Sequence, residues 1–164
     1  MSAALQIRPR WQGPLALRAW LLVFAWLAVI LLLSSASFSE TSTGSQLRPI
    51  LRWLFPDWSL SEIRTLHHAI RKLAHVCVYA VLALLSFRAI RLSLEASLLR
   101  VAGLALALVL AAAATDETLQ SFSETRTGAL ADVGYDLLGG AAALAIVVGW
   151  WRARGGVPDR PAGF

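Results

Sequence analysis

The sequence predicts an all-α membrane protein: a polytopic bundle of about four transmembrane helices with short extracytoplasmic interfacial helices. The first observation behind this is composition. Hydrophobic residues make up 57% of the 164, with a mean hydropathy of +0.63, whereas soluble domains contain roughly 45–50% apolar residues. The second is distribution. The apolar residues form long blocks almost free of charge, and about 20 such residues suffice to cross the hydrocarbon core.

The predicted spans are the four longest apolar blocks, at about 17–36, 73–92, 98–115 and 133–151. The second and third are short by the apolar count, and helix tilt or snorkelling arginines would make up the difference. The first block ends in small residues, Ser34 to Ser37, as the apolar region of a signal peptide does. Because the block is longer than such a region, we predict a retained span, with cleavage as the alternative.

The basic residues predict the orientation. With the N-terminus inside, nine of the fifteen lysines and arginines lie on the cytoplasmic side and six outside, which favours an N-in and C-in topology. The Trp-Trp-Arg-Ala-Arg stretch at 150–154 is typical of an aromatic belt with a cytoplasmic cap. We therefore expect a cytoplasmic segment at 1–16, a single transmembrane domain at 17–152 and a disordered cytoplasmic tail at 153–164.

The segment between the first two spans contains two predicted interfacial helices. One, at about 47–55, has leucine, isoleucine and phenylalanine at helical spacing opposite two arginines, which is the pattern of a helix lying on a membrane surface. The other, at 59–70, begins at a serine N-cap, either Ser59 or Ser61. Pro56-Asp57 predicts a break between the two helices.

Polar residues gather at the outer ends of the second, third and fourth spans. Lys72, His75 and Tyr79 are spaced so that they share one face of a helix. Asp116 and Gln120 lie one turn apart at the end of the third span. Ionisable groups inside a span are costly, so they normally face the bundle interior or water and have a partner. The sequence therefore predicts one shared polar site.

The last span and the loop before it add further charges to this site. Asp136 lies one turn inside the span, so it needs a partner, which Lys72, His75 or Arg126 could supply. Arg126 is also suited to bind a phosphate or carboxylate, because the guanidinium forms a planar fork of donors. Asp132 is either part of the site or the N-cap of the last helix.

Other residues near the site have structural interpretations. Glu117 is either a ligand or a solvated loop carboxylate. Gly139, Gly140 and Ala143 are small enough to allow close packing between helices. The carboxylates and His75 could in principle bind a metal, but their spacing is not diagnostic of any metal site. We therefore predict no metal and no cofactor.

Two stretches combine polar and aromatic residues at fixed spacing. Residues 71–79 read Arg-Lys-Leu-Ala-His-Val-Cys-Val-Tyr, and residues 116–126 read Asp-Glu-Thr-Leu-Gln-Ser-Phe-Ser-Glu-Thr-Arg. Both resemble the VanZ-like family of membrane proteins, whose patterns are roughly Asp-Lys-x-x-His-x-x-x-Tyr and Asp-Glu-x-x-Gln-x-Phe-x-x-x-Arg. Three departures stand out: Arg71 replaces an Asp, Glu124-Thr125 replaces Pro-Gly, and Asp136 replaces an Asn. Two of these departures change the charge of the predicted site.

The resemblance implies a multi-pass protein of the bacterial cytoplasmic (inner) membrane, linked to low-level glycopeptide resistance of the teicoplanin type. Candidate ligands are then anionic lipids or cell-wall precursors, and we expect no nucleic acid partner. The first hypothesis is an outward-facing site that binds such an anionic envelope ligand. The candidate ligand-binding residues are Lys72, His75, Tyr79, Asp116, Glu117, Gln120, Arg126, Asp132 and Asp136.

Two alternatives remain open from the sequence. In an intramembrane enzyme acting on a lipid or cell-wall precursor, His75 or Asp116 would be the general base, and Lys72 and Arg126 would stabilise developing negative charge. The residue types fit this role, although no nucleophile–base pair is recognisable. The other alternative is a non-catalytic scaffold subunit without a ligand site.

Overall fold

The computed structural model describes residues 8–9, 13–34, 40–121 and 130–155. These residues form five helices and two very short strands, and they confirm the all-α fold class. The helices are α1 (Gly13–Leu33), α2 (Glu40–Leu54), α3 (Leu60–Ser93), α4 (Leu98–Ser121) and α5 (Leu130–Ala153). The strands β1 (Arg8–Pro9) and β2 (Leu94–Glu95) pair in antiparallel fashion, with Arg8 opposite Glu95.

Four helices are long and apolar enough to cross a membrane, which confirms the predicted membrane bundle. The candidate spans are Gly13–Leu33, Leu60–Ser93, Leu98–Gln120 and Asp132–Ala153. Helix α4 continues past the predicted end of the third span at Thr115. Helix α4 extends to Ser121. Asp116, Glu117 and Gln120 therefore lie on this helix and not in the loop before the last span.

The predicted separation of an interfacial helix at 59–70 from a span at 73–92 is wrong. Both belong to α3, which is 34 residues long. The prediction split the helix where the sequence changes from polar to apolar, but no glycine or proline interrupts it, so nothing breaks the backbone hydrogen bonds. At 1.5 Å per residue the helix extends about 50 Å, longer than a hydrocarbon core of roughly 30 Å.

The N-terminus of α3 is fixed by the predicted serine cap. The Ser59 hydroxyl accepts a hydrogen bond from the Glu62 backbone N–H at 3.3 Å, and the Ser59 backbone N–H donates to Glu62 Oε2 at 2.8 Å. This reciprocal capping box satisfies donors that would otherwise be unpaired at the helix end. The predicted break at Pro56-Asp57 is confirmed as a turn.

Helix α2 corresponds to the other predicted interfacial helix, and it begins at Glu40, earlier than the predicted start at about 47. Its buried Leu51 faces the protein, and α2 packs against α3. Ile50, Trp53 and Leu54 are exposed, with Trp53 at 81%. An amphipathic helix with an exposed aromatic and aliphatic face is suited to lie at a membrane surface.

Helix α3 is the centre of the bundle and contacts every other helix. Gly139 of α5 lies directly against the backbone of α3, where an added Cβ would overlap the carbonyl oxygen of Val76. Gly140 packs beside Val109 of α4. The predicted role of these two glycines in close helix packing is confirmed. Helix α1 joins the bundle through Trp26, whose Nε1 donates to the Val78 carbonyl oxygen at 2.9 Å.

Candidate functional site

The first part of the site joins α3 to α5. His75 Nδ1 and Asp136 Oδ1 are 3.0 Å apart, and Asp136 is 3% exposed. This contact depends on local packing, because Gly139 lets α5 approach the backbone of Val76, the residue after His75. The turn of α5 that carries Asp136 is thereby held against the imidazole. His75 is thus the partner that the buried carboxylate requires.

The second part joins α3 to α4. Tyr79 Oη donates to Asp116 Oδ2 at 3.4 Å, and Gln120 Nε2 donates to the same oxygen at 2.9 Å. Asp116 is 3% exposed, and among the described residues its Oδ1 has no hydrogen-bond partner. The His75 and Tyr79 rings stack with centroids 6.5 Å apart. The two parts therefore form one continuous polar cluster inside the bundle.

A cavity of about 250 Å³ lies beside this cluster. Four residues singled out from the sequence line it: His75, Tyr79, Asp116 and Gln120. Apolar side chains of α1, α2 and α3 form much of the remaining wall, among them Ile30, Leu33, Leu47 and Val78. The cavity thus combines polar groups with an apolar surface, which is the usual composition of a small-molecule site.

Four polar residues that line the cavity were not assigned to the site from the sequence: Ser34, Thr43, His67 and Arg71, the last noted only as a change of charge. Arg71 Nη1 donates to Thr43 Oγ1 at 3.3 Å, and Thr43 Oγ1 lies 3.3 Å from His67 Nε2 in a second hydrogen bond. His67 is 2% exposed. The signal was a stripe of polar residues four positions apart on α3, running from His67 through Arg71 to His75. Dividing α3 at about residue 70 concealed it.

With this geometry established, a comparison with protein families matches residues 19–152 to VanZ/LLP1. The chain belongs to the VanZ/LLP1 family. The match includes most of α1, nearly all of α5, the whole of α2, α3 and α4, and every residue of the polar cluster. Neither the comparison with curated proteins nor the comparison with solved structures found a match.

The remaining predicted residues of this VanZ/LLP1 protein lie around the cluster. Lys72 Nζ donates to Tyr135 Oη at 3.2 Å and sits 4.8 Å from the centre of that ring, and Lys72 does not line the cavity. Among the described residues, Oε1 of Glu117 is buried and has no hydrogen-bond partner. Asp132 lies in the first turn of α5, where a negative charge is favourable. Arg126 lies outside the described residues.

The cavity places basic, acidic and hydrogen-bonding side chains beside one another. Basic and acidic side chains occupy different parts of the site: Arg71 contacts Thr43 of α2, whereas Asp116 of α4 and Asp136 of α5 contact Tyr79 and His75 further along α3. Within the described ranges, no group of three or more histidine, cysteine or acidic side chains could hold a metal ion. The chemistry available from the described side chains is hydrogen bonding, charge pairing and proton transfer at His75.

Proposed function

We propose that this protein binds an anionic ligand of the bacterial cell envelope at an outward-facing polar site, with an effect on glycopeptide susceptibility. The observation that carries the proposal is the cavity, which is lined by His75, Tyr79, Asp116 and Arg71 within membrane-spanning helices. Ionisable groups are costly within membrane-spanning helices and commonly mark a functional pathway or site. The apolar part of the wall suits the hydrocarbon portion of an envelope lipid or lipid-linked cell-wall precursor.

The site as proposed is larger than the cavity itself. Lys72 and Arg126 would attract the anionic group, and Glu117 and Asp132 would balance them at the outer rim. Asp136 would act through His75, holding the imidazole by the 3.0 Å contact. The cavity volume of about 250 Å³ corresponds to about eight water volumes of roughly 30 Å³ each. It therefore suits a headgroup with a short stretch of chain.

The proposed location is the cytoplasmic membrane, with both termini inside, on the basis of the basic residues at the C-terminal end of α5. Labelling of single cysteines tests this topology. In a Cys77→Ser background, a cysteine at Asp57 should react with a membrane-impermeant maleimide added to intact cells, and one at Gly155 should react only after lysis. The reverse pattern would put the polar site on the cytoplasmic side.

A second candidate function, an intramembrane enzyme, is favoured by one observation. His75 contacts a buried carboxylate through Nδ1 and also lines the cavity. A histidine held by a carboxylate in this way is well suited to act as a general base. Membranes from cells that overproduce the protein would then contain an altered lipid or precursor. His75→Ala would abolish that change, whereas a pure binder would cause none.

Single substitutions test the proposed site in cells. His75→Ala, Asp116→Ala and Arg126→Ala should each remove the effect on teicoplanin susceptibility while the protein remains in the membrane at its normal level. Thr115→Ala is the matched control for Asp116→Ala, because Thr115 is the exposed preceding residue. Loss of protein in every variant would instead indicate structural ion pairing. Unchanged susceptibility and level in every variant would favour the scaffold alternative.

A further inference from the structure

We propose, resting on the function proposed above, that Arg71, His67 and Thr43 form an anion subsite that receives the phosphate of a lipid-like amphiphile. All three residues line the cavity, and none of them was among the residues assigned to the site from the sequence.

The geometry of the three side chains suits a tetrahedral anion. Arg71 brings its planar, fork-shaped guanidinium to the cavity wall, and its Nη1 donates to Thr43 Oγ1 at 3.3 Å. Such a fork matches the oxygens of a phosphate, which lysine can approach only as a point charge. His67 is linked to the same hydroxyl at 3.3 Å, so the three groups converge on one point.

The subsite depends on tertiary packing. Thr43 belongs to α2, whereas His67 and Arg71 lie one turn apart on α3. The buried His67, at 2% exposure, holds this junction between the interfacial helix and the membrane-spanning helix. A ligand bound here would therefore sit where α2 covers α3.

The charges along the cavity give the ligand a direction. Arg71 and Tyr79 are eight residues apart on α3, which corresponds to about 12 Å along the helix axis. Tyr79 donates to the buried carboxylate of Asp116, so the far end of the cavity is acidic. A phosphate is attracted to Arg71 and repelled by Asp116, and such repulsion is an effective source of specificity.

The apolar wall distinguishes an amphiphile from a free anion. Ile30 and Leu33 of α1 and Val78 of α3 line the same cavity as Arg71. A small inorganic anion would leave these side chains against water, whereas an alkyl chain attached to the phosphate would cover them. The ligand class is therefore a phosphate monoester of a long-chain alcohol or a lipid with an exposed phosphate group.

The full chain in phosphatidylcholine nanodiscs provides the test, with binding measured by calorimetry against protein-free nanodiscs. The probes are octyl phosphate, the neutral octyl glucoside with the same chain length, and inorganic phosphate. Octyl phosphate should bind at least tenfold more tightly than either of the others. Equal binding of inorganic phosphate would overturn the lipid assignment. Equal binding of octyl glucoside would overturn the anion subsite.

Substitutions identify the subsite. Arg71→Gln should weaken octyl phosphate binding about tenfold or more, as expected for the loss of a charge-assisted hydrogen bond. Arg64→Gln, an exposed arginine on the same helix, should leave it unchanged. If Arg71→Gln fails to fold by circular dichroism, Thr43→Val and Thr43→Ser provide the equivalent comparison, and only the valine should weaken binding.

The outcomes separate the two proposals. Normal binding by wild-type protein together with equal binding by the Arg71→Gln and Arg64→Gln variants would overturn the subsite and leave the proposed function intact. No binding of octyl phosphate or octyl glucoside by the folded wild-type protein would overturn both. Weaker binding confined to Arg71→Gln, or to Thr43→Val, supports the subsite.

Discussion

The two ends of the helix bundle use polar residues in different ways. At the end where α3 finishes, Trp20 Nε1 donates to Ser93 Oγ at 2.9 Å, and the Arg91 guanidinium lies 5.4 Å from the centre of the Trp151 ring. At the end near the cavity, His75 contacts the buried Asp136. The first end pairs cations with aromatic faces close to the helix termini. The second carries carboxylates into the bundle.

This difference distinguishes polar residues that fix the helix ends from polar residues that are candidates for function. Tryptophan and arginine at a helix end are the common means of fixing a span at a membrane interface. A buried carboxylate, in contrast, is weak evidence for a stabilising role, because desolvation can exceed the gain from pairing. The burial of Asp116 and Asp136, each 3% exposed, therefore supports the proposed site and not an anchoring role.

The largest expected effect comes from the glycine that brings α5 against the cavity end. Gly139→Ala should lower the free energy of unfolding by about 3 kcal/mol, because its Cβ would overlap the Val76 backbone and backbone atoms cannot move aside as a side chain can. Unfolding in mixed micelles with increasing dodecyl sulfate measures this. Gly149→Ala, on the same helix with open space around it, is the matched control. Equal effects at both positions would contradict the close approach.

The next largest effect concerns the pair of His75 and Asp136. Asp136→Ala should destabilise the protein by about 2 kcal/mol, since it removes the carboxylate partner of a half-buried imidazole. Asp136→Asn should cost less, because the amide oxygen can still accept a hydrogen bond. A double-mutant cycle with His75→Ala should give a coupling energy of about 1 kcal/mol or more. Strictly additive effects would mean that the pair does not interact.

Much of the cavity end could be predicted from the sequence, because periodicity and the cost of buried charge are local signals. The shared face of His75 and Tyr79 follows from helical spacing. The need of Asp136 for a partner follows from its depth in the last span. Four helices of membrane length follow from the apolar blocks alone. These inferences require only the chain's own composition and helix geometry.

The rest depends on contacts between distant segments. Thr43 reaches His67 and Arg71 only because α2 folds onto α3, and no local pattern specifies that packing. Hydropathy also divided α3 at about residue 70, although helix continuity depends on the backbone and not on polarity. Lys72 illustrates the same limit, because its actual contact is Tyr135 of α5.

A smaller effect is expected for the hydrogen bond between Tyr79 and Asp116. Tyr79→Phe should lower the free energy of unfolding by about 1 kcal/mol, because Gln120 continues to donate to the same carboxylate oxygen. The change should also weaken octyl phosphate binding less than Arg71→Gln does, since the hydroxyl belongs to the acidic end of the cavity. Stronger weakening than in Arg71→Gln would reverse the proposed direction of the ligand.

The smallest effect is expected at the opposite end. The Arg154 guanidinium lies 4.1 Å from the centre of the Trp150 ring, and an exposed contact of this kind contributes about 0.5 kcal/mol. Arg154→Gln should therefore change the free energy of unfolding by about 0.5 kcal/mol or less and leave ligand binding unaltered, whereas Arg154→Lys should be indistinguishable from wild type. The dodecyl sulfate titration measures the free energy of unfolding of each variant, and calorimetry measures its binding of octyl phosphate. An effect on octyl phosphate binding would couple the two ends of the bundle, and the separation between an anchoring end and a ligand-binding end would then fail.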